Sequence, residues 1–239
     1  MSVLPIQPTP LTIPSASNCL LWMRPDDTRS SNMTFSANRL SAIKNLANNR
    51  VLISNGTTAN QPSTGLVTIK GLNALGFDND SSRWLNTGLP ATLTNFTIFV
   101  VVQQVVSGNA GHIFASTTGS KQTIRMNVNN LGFTSNDGTT TLALASGDSV
   151  LTNPAIFALT GNVSTSTRNL YKNSITAGIS GGYNGTIGAS FFGTTAAASG
   201  SARGGFNLGE TIIYNKALSA TEITTIMRYL SNRSGVILT

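Results

Sequence analysis

The chain has 239 residues, only 10% of them charged, with a formal net charge of +7 and a pI near 10.1. That length can bury a full core within one β-sandwich domain. A charged fraction far below the roughly 25% usual for soluble domains leaves Thr, Asn, Ser and Gly to supply the polar surface, which favours strands and turns over helices.

The composition also excludes chemistry. The 15 basic residues are scattered and no two are adjacent, so the net charge does not form a tail or recognition stripe for specific nucleic-acid binding. A diffuse positive field can still assist adhesion to an anionic surface. Cys19 is the sole cysteine and His112 the sole histidine. No intrachain disulfide can form, Cys19 reads as a small buried apolar residue, and a zinc site has too few ligands. No apolar run reaches membrane-spanning length, so no membrane insertion is expected.

Residues 1–17 read as an extended, uncharged arm. Pro5, Pro8, Pro10 and Pro14 deny it helix and interrupt any signal-peptide core, so secretion through a cleaved leader is not expected. Val3, Leu4, Ile6, Leu11 and Ile13 are apolar and need cover. They either lie along the chain's own sandwich or reach a neighbouring subunit, and they are the candidate partner-binding residues.

Residues 18–239 read as one domain. A first strand is expected at Cys19 to Met23, then a polar loop from Arg24 to Asn38. Leu40, Ile43 and Leu46 stand at helical spacing and predict a short helical turn. Short strands follow at Val51 to Ile53, Val67 to Ile69, Ala74 to Phe77 and Trp84-Leu85. Thr94 to Val106 is almost continuously apolar and β-branched in its middle, as in strands buried on both faces. Further strand-like runs lie at His112 to Ser116, Thr123 to Val128, Leu131 to Thr134, Thr141 to Ala145, Ala155 to Thr160 and Asn169 to Lys172. Turn residues such as Asn136-Asp137-Gly138 separate them, the rhythm of a sandwich or jelly roll. A strand within Gly185 to Phe192 and a loop over Thr194 to Gly205 complete this part.

The C-terminal unit is the most legible. Leu208, Glu210, Ile212 and Tyr214 alternate with Gly209, Thr211 and Ile213 as in a strand. Ser219 and Glu222 form a capping-box pair; Ile223, Ile226, Met227 and Leu230 make one apolar helical stripe, and Gly235 is a left-handed stop. Arg228 and Arg233 suit the negative end of the helix dipole.

The run from Gly209 to Ser219, with Glu222 and Tyr229-Leu230, resembles the closing segment of concanavalin A-like (laminin G-like) lectin and glucanase domains. Leu20 to Met23 with Asp26 and Asp27, Leu75 to Asp78, Phe96 to Val102, and Leu170 to Asn173 resemble earlier segments of that family in the same order. Arg24 and Pro25 depart from its opening strand, and Ser174 stands where glycine is usual in its hairpin. The resemblance implies an all-β fold: a single antiparallel β-sandwich of jelly-roll kind with one short C-terminal helix. The family hosts lectins, enzymes, adhesion modules and virion proteins, so fold does not decide function.

Glucanases of this fold place carboxyls together on one strand, whereas this chain has only the glutamates Glu210 and Glu222. Glu222 is a cap, and Glu210 matches a frequent non-catalytic Glu of the family, so it reads as a hydrogen-bonded structural carboxylate. His112 is flanked by apolar residues, and no nucleophile elbow precedes a helix. Hydrolysis is therefore not expected. Calcium needs several oxygen ligands, and only Asp26-Asp27 and Asp78-Asn79-Asp80 cluster, so no cofactor is expected. Glycan recognition would use an aromatic platform with an amide: Trp84 with Asn86, and Tyr183 with Asn184. Trp22, Phe191 and Phe192 read as core.

Two functions follow as expectations. The first is a non-enzymatic virion protein, a capsid decoration (cement) or tail or fibre accessory of a bacteriophage, assembled in the host cytoplasm. Its partners would be other virion proteins, such as a major capsid protein, and further copies of itself. The alternative is a carbohydrate-binding module for host or environmental polysaccharide.

Overall fold

The computed structural model describes residues 16–28, 31–54, 57–77, 83–89, 93–105, 111–116, 123–126, 133–136, 141–143, 153–183, 187, 190–193 and 205–239. The arm residues Val3, Leu4, Ile6, Leu11 and Ile13, together with Asn184, lie outside them.

In chain order the strands are β1 (Cys19–Met23), β2 (Met33–Ser36), β3 (Arg39–Lys44), β4 (Val51–Ile53), β5 (Ser63–Ile69), β6 (Leu72–Phe77), β7 (Leu85–Asn86), β8 (Phe96–Gln104) and β9 (Gly111–Ser116). They continue with β10 (Thr123–Met126), β11 (Phe133–Asn136), β12 (Thr141–Ala143), β13 (Ala155–Asn162), β14 (Thr167–Lys172), β15 (Ile179–Gly182), β16 (Ser190–Phe192) and β17 (Phe206–Tyr214). Helix α1 (Ala220–Ser234) closes the chain.

Two antiparallel sheets form, as an all-β sandwich requires. The larger has the order β15-β14-β13-β8-β17-β6-β5-β3-β2, with β1 paired to β17 and β4 to β3; the smaller runs β12-β11-β10-β9-β16-β7. β8 sits between β13 and β17, which is why its sequence is greasy on both sides. Phe96, Ile98, Val100 and Val102 enter the main core, which also takes Phe114 and Phe192 of the smaller sheet. Phe99 and Val101 point the other way, into a second core with Ile156, Ile212 and the α1 stripe Ile223, Ile226, Met227 and Leu230. Burying each such side chain contributes about 1.5–3 kcal/mol, and it holds a helix of a length that would be marginal alone in water.

The helix ends form as its sequence dictates. Ser219 accepts from the Glu222 amide, the Glu222 carboxylate accepts from the Ser219 amide at 2.8 Å, and Gly235 caps the other end at φ 68°.

Strand β17 departs from simple alternation. Leu208 pairs with Val102 but Thr211 pairs with Val100, so Gly209 and Glu210 together oppose Val101. This bulge inverts the faces. Before it Phe206 and Leu208 fill the main core; after it Ile213 does, while Ile212 and Tyr214 turn to the helix. A Cβ on Gly209 would lie 3.2 Å from Val101 Cβ, so the close approach favours glycine there.

A similar shift corrects the reading of Leu40 and Ile43. They lie on strand β3, not a helical turn. Phe35 pairs with Leu40 and Thr34 with Ala42, leaving Ser41 as an extra residue. A bulge thus puts two residues three apart on the same buried face, which imitates helical spacing. The stretch read as a polar loop contains β2, and β15 also escaped the sequence reading, because both are short and poor in apolar alternation.

Candidate functional site

Glu210 is the first place to look for chemistry. The β17 bulge turns it toward α1, where its side chain is 6% exposed. Trp22 Nε1 donates to Oε1 at 2.6 Å and Tyr229 Oη to the same oxygen at 2.7 Å; Arg233 Nε donates to Oε2 at 2.7 Å. Arg233 reaches on to Asp26 at 2.5 Å, and Arg24 also pairs with Asp26 at 3.2 Å. Burial works against the Arg233 charge, but the Glu210 and Asp26 carboxylates outweigh it and raise its pKa. Burial, reinforced by Glu210, likewise raises the Tyr229 phenol.

Both carboxylate oxygens of Glu210 are thus engaged. The cavity beside it, bounded by Asp26, Leu72, Asn73, Glu210 and Arg233, measures about 10 Å³, the scale of one water. No sugar ring enters it. Glu210 is a structural carboxylate that fastens α1 and β1 to the sheet, as read from its sequence context. Glu222 caps α1 and binds Lys216 Nζ at 2.9 Å.

Asp26 is held by two arginines, and Asn32 Nδ2 donates to Asp27. Among the described residues no three His, Cys, Asp or Glu side chains gather as a metal site; Asp78-Asn79-Asp80 lie outside those residues. His112 is 7% exposed on β9. Phe191 and Phe192 are buried, and Trp22 is half-buried against the second core.

The candidate sugar residues separate. Tyr183 is 2% exposed, its ring edge-on to Phe96 at 5.7 Å, so it packs in the main core and offers no platform. Its packing on Phe96, far away in the sequence, is invisible in a local reading; a Cβ on Gly161 would overlap the same Phe96 ring, which lies over that glycine.

Trp84 and Asn86 are placed differently. They flank Leu85, which is fully buried, so alternation puts both on the outward face of β7 at the rim of the smaller sheet. Trp84 is half-buried and packs edge-on against Phe191 at 5.4 Å. Its Nε1 makes no hydrogen bond to the described residues. Asn86 Oδ1 accepts from the Gly88 amide at 2.7 Å, leaving Nδ2 without a partner among those residues. Thr87 turns inward and its hydroxyl is 2.7 Å from that of Ser190, pinning β7 to β16.

Sequence reading did not single out Arg50. It donates through Nη1 to the carbonyl of Gly88, from across the sandwich rim. Asn86 and Arg50 therefore grip the two sides of one glycine. Its φ is +62°, so the backbone selects glycine, and a Cβ there would lie 2.9 Å from Arg50 Cζ and displace that side chain. A separation of 38 residues carries no local signal of this pairing.

No protein-family model and no curated protein sequence matches the chain. Solved structures do. Trypanosoma rangeli sialidase, solved in complex with sialic acid, aligns at TM-score 0.64 with 12% identity, over 92% of this chain and 34% of that one. The binding domain of Paraclostridial Mosquitocidal Protein 1 aligns at 0.65 with 12% identity, over 91% and 53%. A botulinum neurotoxin type C structure, described in terms of interaction with two ganglioside molecules, aligns at 0.59 with 14% identity, over 90% and 52%. The likeness is one of fold. This chain spans about a third to a half of the length of those proteins.

Proposed function

We propose that the chain is a non-catalytic, lectin-like binding domain that takes a glycan on the outward face of β7. The observation that carries this is the indole of Trp84, partly exposed and braced edge-on by Phe191, with the Asn86 carboxamide beside it on the same face. An aromatic face stacks on the C–H face of a sugar ring while neighbouring N–H donors meet its hydroxyls. Asn86 is oriented beforehand by Gly88, so little side-chain entropy is lost on binding. The engagement of both Glu210 oxygens by Trp22, Tyr229 and Arg233 supports binding over hydrolysis. That solved neighbours of this fold include proteins described with sialic acid and gangliosides adds support by analogy only.

The test is glycan-array screening of wild type, Trp84→Ala and Asn86→Ala. Loss of Trp84 is expected to weaken binding about tenfold or more, as removal of a central aromatic anchor does, with the melting temperature little changed. A blank array for the wild type would end this reading.

A second reading, a particle-borne adhesion protein of a bacteriophage anchored through its arm to capsid or tail proteins and to copies of itself, is carried by the uncharged, proline-punctuated apolar run Val3, Leu4, Ile6, Leu11 and Ile13. The two readings are compatible, since a glycan-binding face and an anchoring arm occupy different parts of the chain.

A further inference from the structure

We infer that the glycan taken at β7 carries a carboxylate and that Arg50 is its partner; this rests on the glycan-binding reading above. Arg50 is exposed, yet it is built into place. Its amide donates to Asn48 Oδ1 at 3.0 Å and its carbonyl accepts from the Asn45 amide at 2.7 Å, so the backbone is held on both sides. Its guanidinium lies face-on over Gly88: a Cβ on that glycine would be 2.9 Å from Cζ and 3.1 Å from each Nη.

The bond that orients it goes to a neutral carbonyl. Among the described residues no carboxylate pairs with Arg50, whereas Arg24, Lys216 and Arg233 each have one. With Nη1 engaged, the Nε–Nη2 edge keeps two parallel N–H donors, the fork that matches a planar carboxylate. Surface arginines usually wander; this one is oriented in advance without being neutralised. Gly88 links it directly to Asn86, so an acid group at Arg50 lies next to the proposed sugar face. The net charge of +7 favours approach of an anionic ligand.

The experiment is a glycan array carrying uronic- and sialic-acid sugars beside their neutral methyl esters, probed with wild type, Arg50→Gln, Arg50→Lys and Trp84→Ala at low and high salt. Wild type is expected to prefer acids over esters by about tenfold, the worth of one charge-assisted hydrogen-bond pair. Salt should erode the preference. Arg50→Gln should abolish it, and Arg50→Lys, which keeps charge but loses the fork, should fall between. Equal binding of acids and esters, both lost in Trp84→Ala, overturns this inference and leaves the glycan site standing. An acid preference that survives in Arg50→Gln overturns the assignment to Arg50. No binding by wild type to any sugar overturns the reading beneath it. Matching melting temperatures of the variants secure the comparison.

Discussion

Arg233 Nε donates to Glu210 Oε2 at 2.7 Å, joining the last turn of α1 to the bulge of β17. With Trp22 and Tyr229 on the other oxygen, the pair commits the Glu210 carboxylate to architecture. Removing Glu210 leaves Arg233, Tyr229 and Trp22 donors without their acceptor. Glu210→Ala is expected to destabilise the domain by about 3 kcal/mol, the lower end of the range because Arg233 is 23% exposed. Glu210→Gln should recover part of that loss. Urea denaturation measures both, and neither variant should alter glycan binding.

Alkaline pH should unfold the domain early. Burial pushes the Cys19 thiol up to about 12 from an ordinary 9.0. It also raises the Tyr214 and Tyr229 phenols above their ordinary 10.0, with Cys19 adding to the first and Glu210 to the second. A raised native pKa means that the folded chain keeps protons which the unfolded chain releases. The stabilisation is complete below about pH 9 and is lost as pH rises through the raised values. Thermal melts from pH 8 to 11 should show a falling melting temperature, and Tyr229→Phe should shallow that fall. The same burial should make Cys19 slow toward thiol reagents at pH 8 until denaturant is added.

Tyr214 offers a contrasting case. It is fully buried, packs edge-on against Phe99 at 6.4 Å, and its hydroxyl has no hydrogen-bond partner among the described residues. Tyr214→Phe keeps the ring and removes a buried polar atom. Its stability by denaturant titration should be unchanged or higher by up to about 1 kcal/mol, where Tyr229→Phe, which loses a bond to Glu210, should lower it.

The arm makes a separable prediction. Deleting residues 2–13 should leave the far-UV spectrum and melting temperature of the sandwich nearly unchanged, while lowering the mass of any oligomer in solution or its retention on particles. Light scattering of the two forms decides it. Normal assembly by the truncated chain would remove the arm from the anchoring mechanism.

Local rules settled much of this protein from its sequence. The two-faced greasiness of Phe96 to Val102 requires a strand covered on both sides, and the helix from Ala220 to Ser234 carries its own start, stripe and stop. These features rest on neighbours within a few residues, which a sequence displays directly. What the tertiary structure alone decided are relations across distance. The β17 bulge, set by pairing with Val101, sends Glu210 to the helix instead of the main core. Burial beside Phe96 withdraws Tyr183 from the surface, and the hydrogen bond from Arg50 to Gly88 joins two distant turns. Periodicity marks which residues alternate; only the packed register decides which face each one meets, because a single extra residue inverts them all.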